Sequence, residues 1–274
     1  MRTSSGARPT RFLVASLAIL GLVAVSCGSD DAANDQPSAT DAPDTAESAA
    51  SGEVVVFAAA SLTGAFTELG DAFMAANPEA SVTFNFAASS ELVAQIVEGA
   101  PADVFASADL NNMTKLTDAD ASAGEPVVIA NNLSEIIVAP GNPLGITGVE
   151  DLANDDLILV VCAPEVPCGT YATQIFENAG VTVNPDSFEE NVNAVVTKVA
   201  LGEADAGIAY ATDVTAAGDD ADGVEIPAEL NVVAEYPIAV TAEAPNPDGG
   251  QAFVDFVVSA DGQEILASYG FSSP

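Results

Sequence analysis

The chain has 274 residues, 49% of them apolar, with three cysteines, no histidine and no tryptophan. Its formal charge is −36, from 41 acidic residues against five basic ones, which excludes nucleic acid as a partner on electrostatic grounds. Without histidine, and with no GxSxG or Ser-Lys arrangement, the sequence offers no catalytic constellation, and carboxylate pairs in so acidic a chain carry no weight.

All three arginines, Arg2, Arg8 and Arg11, precede an apolar run from Phe12 to Val25 that ends in the small residues Ser26-Cys27-Gly28. This is the pattern of an export signal over residues 1–28. The run is shorter than the roughly 20 residues a spanning helix needs. Its ending, Ala24-Val25-Ser26-Cys27, resembles a bacterial lipoprotein signal, which implies lipidation at Cys27 and membrane contact only through that anchor. Residues 29–52 are small, polar and acidic and cannot bury enough surface to fold, so they are expected to be a disordered tether. The export signal places the remaining residues outside the cytoplasm, where the mature part keeps only Lys115 and Lys198 as basic side chains.

From residue 53 the apolar pattern alternates between two periods. Glu53–Phe57 reads as a strand, Leu62, Ala65, Phe66, Leu69 and Phe73 as a helical stripe, and Asn77-Pro78 as its stop. Val82–Phe86 is the next strand, Leu92, Val93, Ile96 and Val97 the next helix, and Val104–Ala106 a third strand. Leu110–Leu116 follows as a short helix, then extended segments at 127–130 and 135–139. Leu157–Val161 opens a second strand and helix set: helices at 169–179 and 191–201, a strand at 205–210 ending in Tyr210, extended chain at 232–241 and closing helices within 251–268. Strands alternating with helices predict two mainly parallel sheets flanked by helices, in an α/β chain. The expected division is lobe I over residues 53–131 and 238–274 and lobe II over 132–237, joined by a hinge of crossover segments. Asp219–Gly223 lacks the spacing of a calcium loop and reads as a solvated acidic turn.

Cys162 and Cys168 stand close together in CAPEVPC. Zinc is disfavoured because the chain supplies no further soft ligands once Cys27 is lipidated. A small-loop disulfide is expected, with two buried thiols as the alternative. Four helices begin beside a small or polar residue at the end of a strand, after Ser61, Ser89, Cys168 and Asn191. Each alone is an ordinary N-cap. Together they offer helix starts, which favour anions, in both lobes at the strand ends where open sheets collect ligands.

The segments VFAAASLTGAF (56–66), FAASSELVAQIVEGAPADVFASAD (86–109), VPCGTYA (166–172) and GEADAGIAYATD (202–213), with YPIAV and SYGF, resemble the substrate-binding proteins of bacterial molybdate ABC importers. The resemblance implies a two-lobed type II periplasmic-binding fold that binds molybdate or tungstate, is not an enzyme, needs no cofactor, works as a monomer and passes its ligand to an importer permease. Sulfate or another oxyanion on the same fold is the alternative. Carried over residue by residue, it implies oxyanion contacts at Ser61, Ser89, Cys168, Val192 and Tyr210, with molybdenum reached only through its oxygens and no direct protein ligand to the metal. Cys168 departs from the family pattern, which often has alanine there.

Overall fold

The computed structural model describes residues 50–274, so the signal, Cys27 and most of the tether lie outside the described residues. The strands are β1 (Gly52–Ala59), β2 (Ala80–Ala87), β3 (Val104–Ala106), β4 (Val127–Asn132), β5 (Ser134–Val138), β6 (Leu159–Cys162), β7 (Ser187–Glu189), β8 (Ala206–Tyr210), β9 (Asp222–Glu225) and β10 (Ala234–Val240). The helices are α1 (Thr63–Ala76), α2 (Ser89–Val97), α3 (Leu110–Asp118), α4 (Pro167–Ala179), α5 (Val192–Ala200), α6 (Ala211–Ala217), α7 (Pro247–Val258) and α8 (Ala260–Ser268).

The strands form two sheets ordered β2-β1-β3-β10-β4 and β7-β6-β8-β5-β9. In each, a single strand runs against the other four: β10 pairs antiparallel with β3 and β4, and β5 antiparallel with β8 and β9. β1 pairs in parallel with β2 and β3, and β6 with β7 and β8. Both sheets are therefore mainly parallel, and helices cover them.

The chain passes between the sheets at 132–134 and again between Glu225 and Ala234. All of β10 belongs to the first sheet, so a lobe boundary at 237/238 falls inside a strand. Pro237, which lacks an N–H, marks a shift of register between Tyr236 and Pro237, yet the strand continues through it. Asn231 clasps the two crossings, accepting from Ser134 N–H at 3.2 Å and donating to the Ser134 carbonyl at 2.8 Å.

Two other expectations need correction. The end of the presumed tether is structured: Ala50 is buried and its N–H donates to Asn77 Oδ1 at 3.0 Å, and Gly52 already belongs to β1. The acidic turn at 219–223 runs into β9, an edge strand, where the Asp222 carboxylate accepts from Gly141 N–H at 2.6 Å.

The first lobe packs around Phe253 of α7, fully buried and edge-on to Phe66, Phe73 and Phe84 at 6.1, 5.4 and 6.2 Å between ring centroids. Ile136, Leu159, Ile175 and Ile208 occupy the equivalent interior of the second. Cys162 and Cys168 are joined in a disulfide between the end of β6 and the first turn of α4. On loop-closure entropy, replacing both with alanine should lower the free energy of unfolding by roughly 2 kcal/mol, read from urea transitions.

Candidate functional site

Each candidate residue follows a strand's carboxyl end. A short 3-10 turn, Ala60–Leu62, carries Ser61 after β1. Ser89 is the first residue of α2 after β2. Pro167, suited to a helix start by its fixed φ and missing N–H, begins α4 after β6 and puts Cys168 in the first turn. Asn191 caps α5 by accepting from Ala194 N–H at 3.1 Å, which leaves Val192 at its head. Tyr210 ends β8.

The structure brings all of these to one cavity: Ser61, Ser89, Cys168, Asn191, Val192 and Tyr210 line it together. The space is small, about 20 Å³ of room for atom centres, against the roughly 10–15 Å³ a single water needs on the same measure. It is a narrow cleft. Donors from lobe II meet carbonyls of lobe I at its edge: Asn193 Nδ2 donates to the Ala60 carbonyl at 3.2 Å, and the Tyr171 hydroxyl to the Ala108 carbonyl at 3.3 Å.

Several of the lining residues carry hydrogen-bond donors without an acceptor among the described residues. The first N–H groups of a helix have no intrahelical acceptor, and those of Ser89, Cys168 and Val192 meet none among the described residues. The Ser89 oxygen accepts from Ala108 N–H at 3.0 Å, so its own proton remains available. The Tyr210 hydroxyl is buried and has no hydrogen-bond partner among the described residues. Burial, then the neighbouring Tyr236 and Tyr171, push its pKa well up, so it stays protonated. Neither lysine lines the cavity: Lys198 pairs with Glu189 at 2.6 Å and Lys115 donates to Asn112 at 2.9 Å.

Gly169 keeps the α4 turn tight against the preceding strand. A Cβ there would come within 1.9 Å of the Ala163 carbonyl oxygen, so only glycine lets the disulfide loop fold back over the helix start.

Sequence reading missed Tyr171, Tyr236 and Asp213, which support the cavity residues from behind. Tyr171, Tyr210 and Tyr236 pack edge to face at 6.3 and 6.0 Å. Tyr236 and Ser61 share a hydrogen bond of 3.0 Å between their hydroxyls. Asp213, in the first turn of α6, accepts from Tyr210 N–H at 3.3 Å. These residues sit in the same quoted motifs, but no local spacing distinguishes them from core.

Burial raises the Asp213 carboxyl from its ordinary 3.8 to about 7, with the Tyr210 N–H opposing. Between those values the folded state holds a proton that the unfolded state releases, so this group's stabilisation is greatest at acid pH and declines as pH rises towards 7. Asp213→Asn should remove that slope, gaining roughly 2 kcal/mol on wild type between about pH 5 and pH 7. Urea unfolding of both proteins across pH checks it.

Among the described residues no helix is long and apolar enough to cross a membrane, and no group of three or more His, Cys, Asp or Glu could hold a metal ion. The family model described as bacterial extracellular solute-binding protein matches residues 54–272. The molybdate-binding protein ModA of Mycobacterium tuberculosis is 40% identical over 262 residues, which span 96% of this chain and 97% of that protein. Among solved structures, the periplasmic molybdate-binding protein of Azotobacter vinelandii superposes with a TM-score of 0.71 at 21% identity, covering 81% of this chain and 99% of its own. The sulfate-binding protein SubI of Mycobacterium tuberculosis superposes at 0.73 with 17% identity, over 81% and 86%. At those identities the structural likeness is one of fold. With sequence, fold and converging donors in agreement, the chain belongs to the bacterial extracellular solute-binding proteins, alongside the molybdate-binding protein ModA.

Proposed function

We propose that this protein captures molybdate, and tungstate equally, between its lobes and delivers it to the permease of an ABC importer. The observation that carries the reading is the buried Tyr210 hydroxyl, without a partner among the described residues, on a cavity where unpaired helix-start N–H groups converge. A tetrahedral dianion leaves water only if its oxygens are hydrogen-bonded. Here Ser61, Ser89 and Tyr210 supply hydroxyls, Ser61, Ser89, Cys168 and Val192 supply backbone N–H groups, and three helix starts lower the energy of the charge. Molybdenum itself meets no protein atom, and no cofactor takes part. Closure of one lobe on the other removes water, and reopening at the crossings near Asn132 and Asn231 releases the ligand.

A donor-only cavity disfavours monohydrogen phosphate, whose proton would face another donor. The ligand-filled cavity is expected to fit molybdate and tungstate and to hold the smaller sulfate poorly. In the cell the protein acts as an exported monomer, held to the membrane through lipid on Cys27.

Thermal unfolding with molybdate, tungstate, sulfate and phosphate tests this. Molybdate and tungstate at 100 times their dissociation constants should each add about 2.7 kcal/mol, sulfate much less at equal concentration, and phosphate almost nothing. Indifference to molybdate would overturn the assignment, and an equal response to sulfate would turn it into a general oxyanion binder.

A further inference from the structure

We propose that Asn132 and Tyr236, neither of which lines the cavity, are positioning residues that fix the direction of the Ser61 hydroxyl and so keep the site donor-only. The inference rests on the oxyanion reading above and concerns how protonated oxyanions are rejected.

The order of protons can be followed from a group with no choice. The Leu133 N–H, which can only donate, bonds Asn132 Oδ1 at 3.0 Å. That sets the Asn132 amide, whose Nδ2 donates to Thr212 Oγ1 at 2.8 Å and towards the Tyr236 hydroxyl at 3.5 Å. Tyr236 is fully buried, and its hydroxyl meets only Asn132 Nδ2, a donor, and Ser61 Oγ at 3.0 Å among the described residues. The tyrosine proton therefore goes to Ser61, because the opposite order would strand a buried hydroxyl proton with no acceptor. Ser61 receives a hydrogen bond from behind and turns its own proton into the cavity. Ser89 reaches the same state by a different route, its oxygen occupied by Ala108 N–H at 3.0 Å.

The consequence is chemical. A serine oxygen that already accepts from the protein is poorly placed to accept again from a ligand. Molybdate has no proton to give, whereas monohydrogen phosphate and monohydrogen arsenate do. Asn132 ends β4, at the first crossing between the lobes, so the residue that sets this polarity also sits on the hinge.

Calorimetric titrations of wild type, Tyr236→Phe, Asn132→Asp and Ser61→Ala with molybdate and with phosphate near neutral pH test the proposal. In Tyr236→Phe the serine oxygen is freed to accept a ligand proton. Phosphate affinity should then rise about tenfold, the scale of one neutral hydrogen bond, as molybdate affinity falls. Asn132→Asp should act in the same direction with Tyr236 intact, since its carboxylate draws the tyrosine proton away from Ser61. Ser61→Ala, which leaves no oxygen to accept, should lose molybdate affinity with no gain for phosphate. A gain of affinity is a result that mere loosening of the hinge does not produce. Phosphate affinity unchanged in both Tyr236→Phe and Asn132→Asp, or raised equally by Ser61→Ala, overturns the proposal. Wild type that takes sulfate in place of molybdate overturns the ligand assignment alone, and the phosphate gain is then read against sulfate.

Discussion

Replacing Ser89 with alanine is expected to weaken molybdate binding by about 100-fold, because a charge-assisted hydrogen bond contributes roughly 1.5–3 kcal/mol and each 1.4 kcal/mol is a factor of ten. Ser89 is 1% exposed and heads α2, where its N–H and the positive end of the helix dipole favour an anion. Its oxygen accepts from Ala108 N–H, so alanine removes a donor to the ligand and also leaves a buried backbone N–H unpaired. The second loss falls on the free protein, lowering its stability by about 1–2 kcal/mol. Calorimetry and urea unfolding separate the two effects. An affinity within threefold of wild type would remove Ser89 from the ligand shell.

Phe253→Ala should cost about 3–5 kcal/mol of stability, the range for emptying a buried aromatic position. Its ring meets Phe66 and Phe73 of α1 and Phe84 of β2, so one side chain joins α7 to two consecutive elements much earlier in the chain. Aromatic edge-to-face pairs add to the loss beyond buried area. Phe253 does not line the cavity, so the variant, where folded, should bind molybdate with near wild-type affinity. A loss below about 1.5 kcal/mol in denaturant titration would mean that the neighbouring rings collapse into the space.

Much of the fold was legible because apolar spacing switches clearly between two and 3.6 residues, as at Val82–Phe86 and Leu92–Val97. The omissions have physical causes. α6, ATDVTAA, abuts β8 with no turn residue between them and carries a single large apolar side chain, Val214. β9, DGVE, is mostly exposed and acidic, and only its pairing with β5 makes it a strand. β7 is three residues long. The insertion of β10 between β3 and β4 is a pairing across more than a hundred residues, which local pattern does not encode. The five cavity-lining candidates came from resemblance to a family. Their support came from coordinates, since Asn132 and Tyr236 are 104 positions apart and meet only in the folded chain.

The discontinuity of the first sheet bears on how the polypeptide is made. Every strand of the second sheet lies between Ser134 and Glu225, so that half can complete itself while the carboxyl-terminal segment is still emerging. The amino-terminal half, although synthesised earlier, has an open slot between β3 and β4 until Ala234–Val240 arrives to fill it. The half translated last-but-one is then the first able to mature, and the hinge, with the tyrosine that orients Ser61, is assembled only at the end.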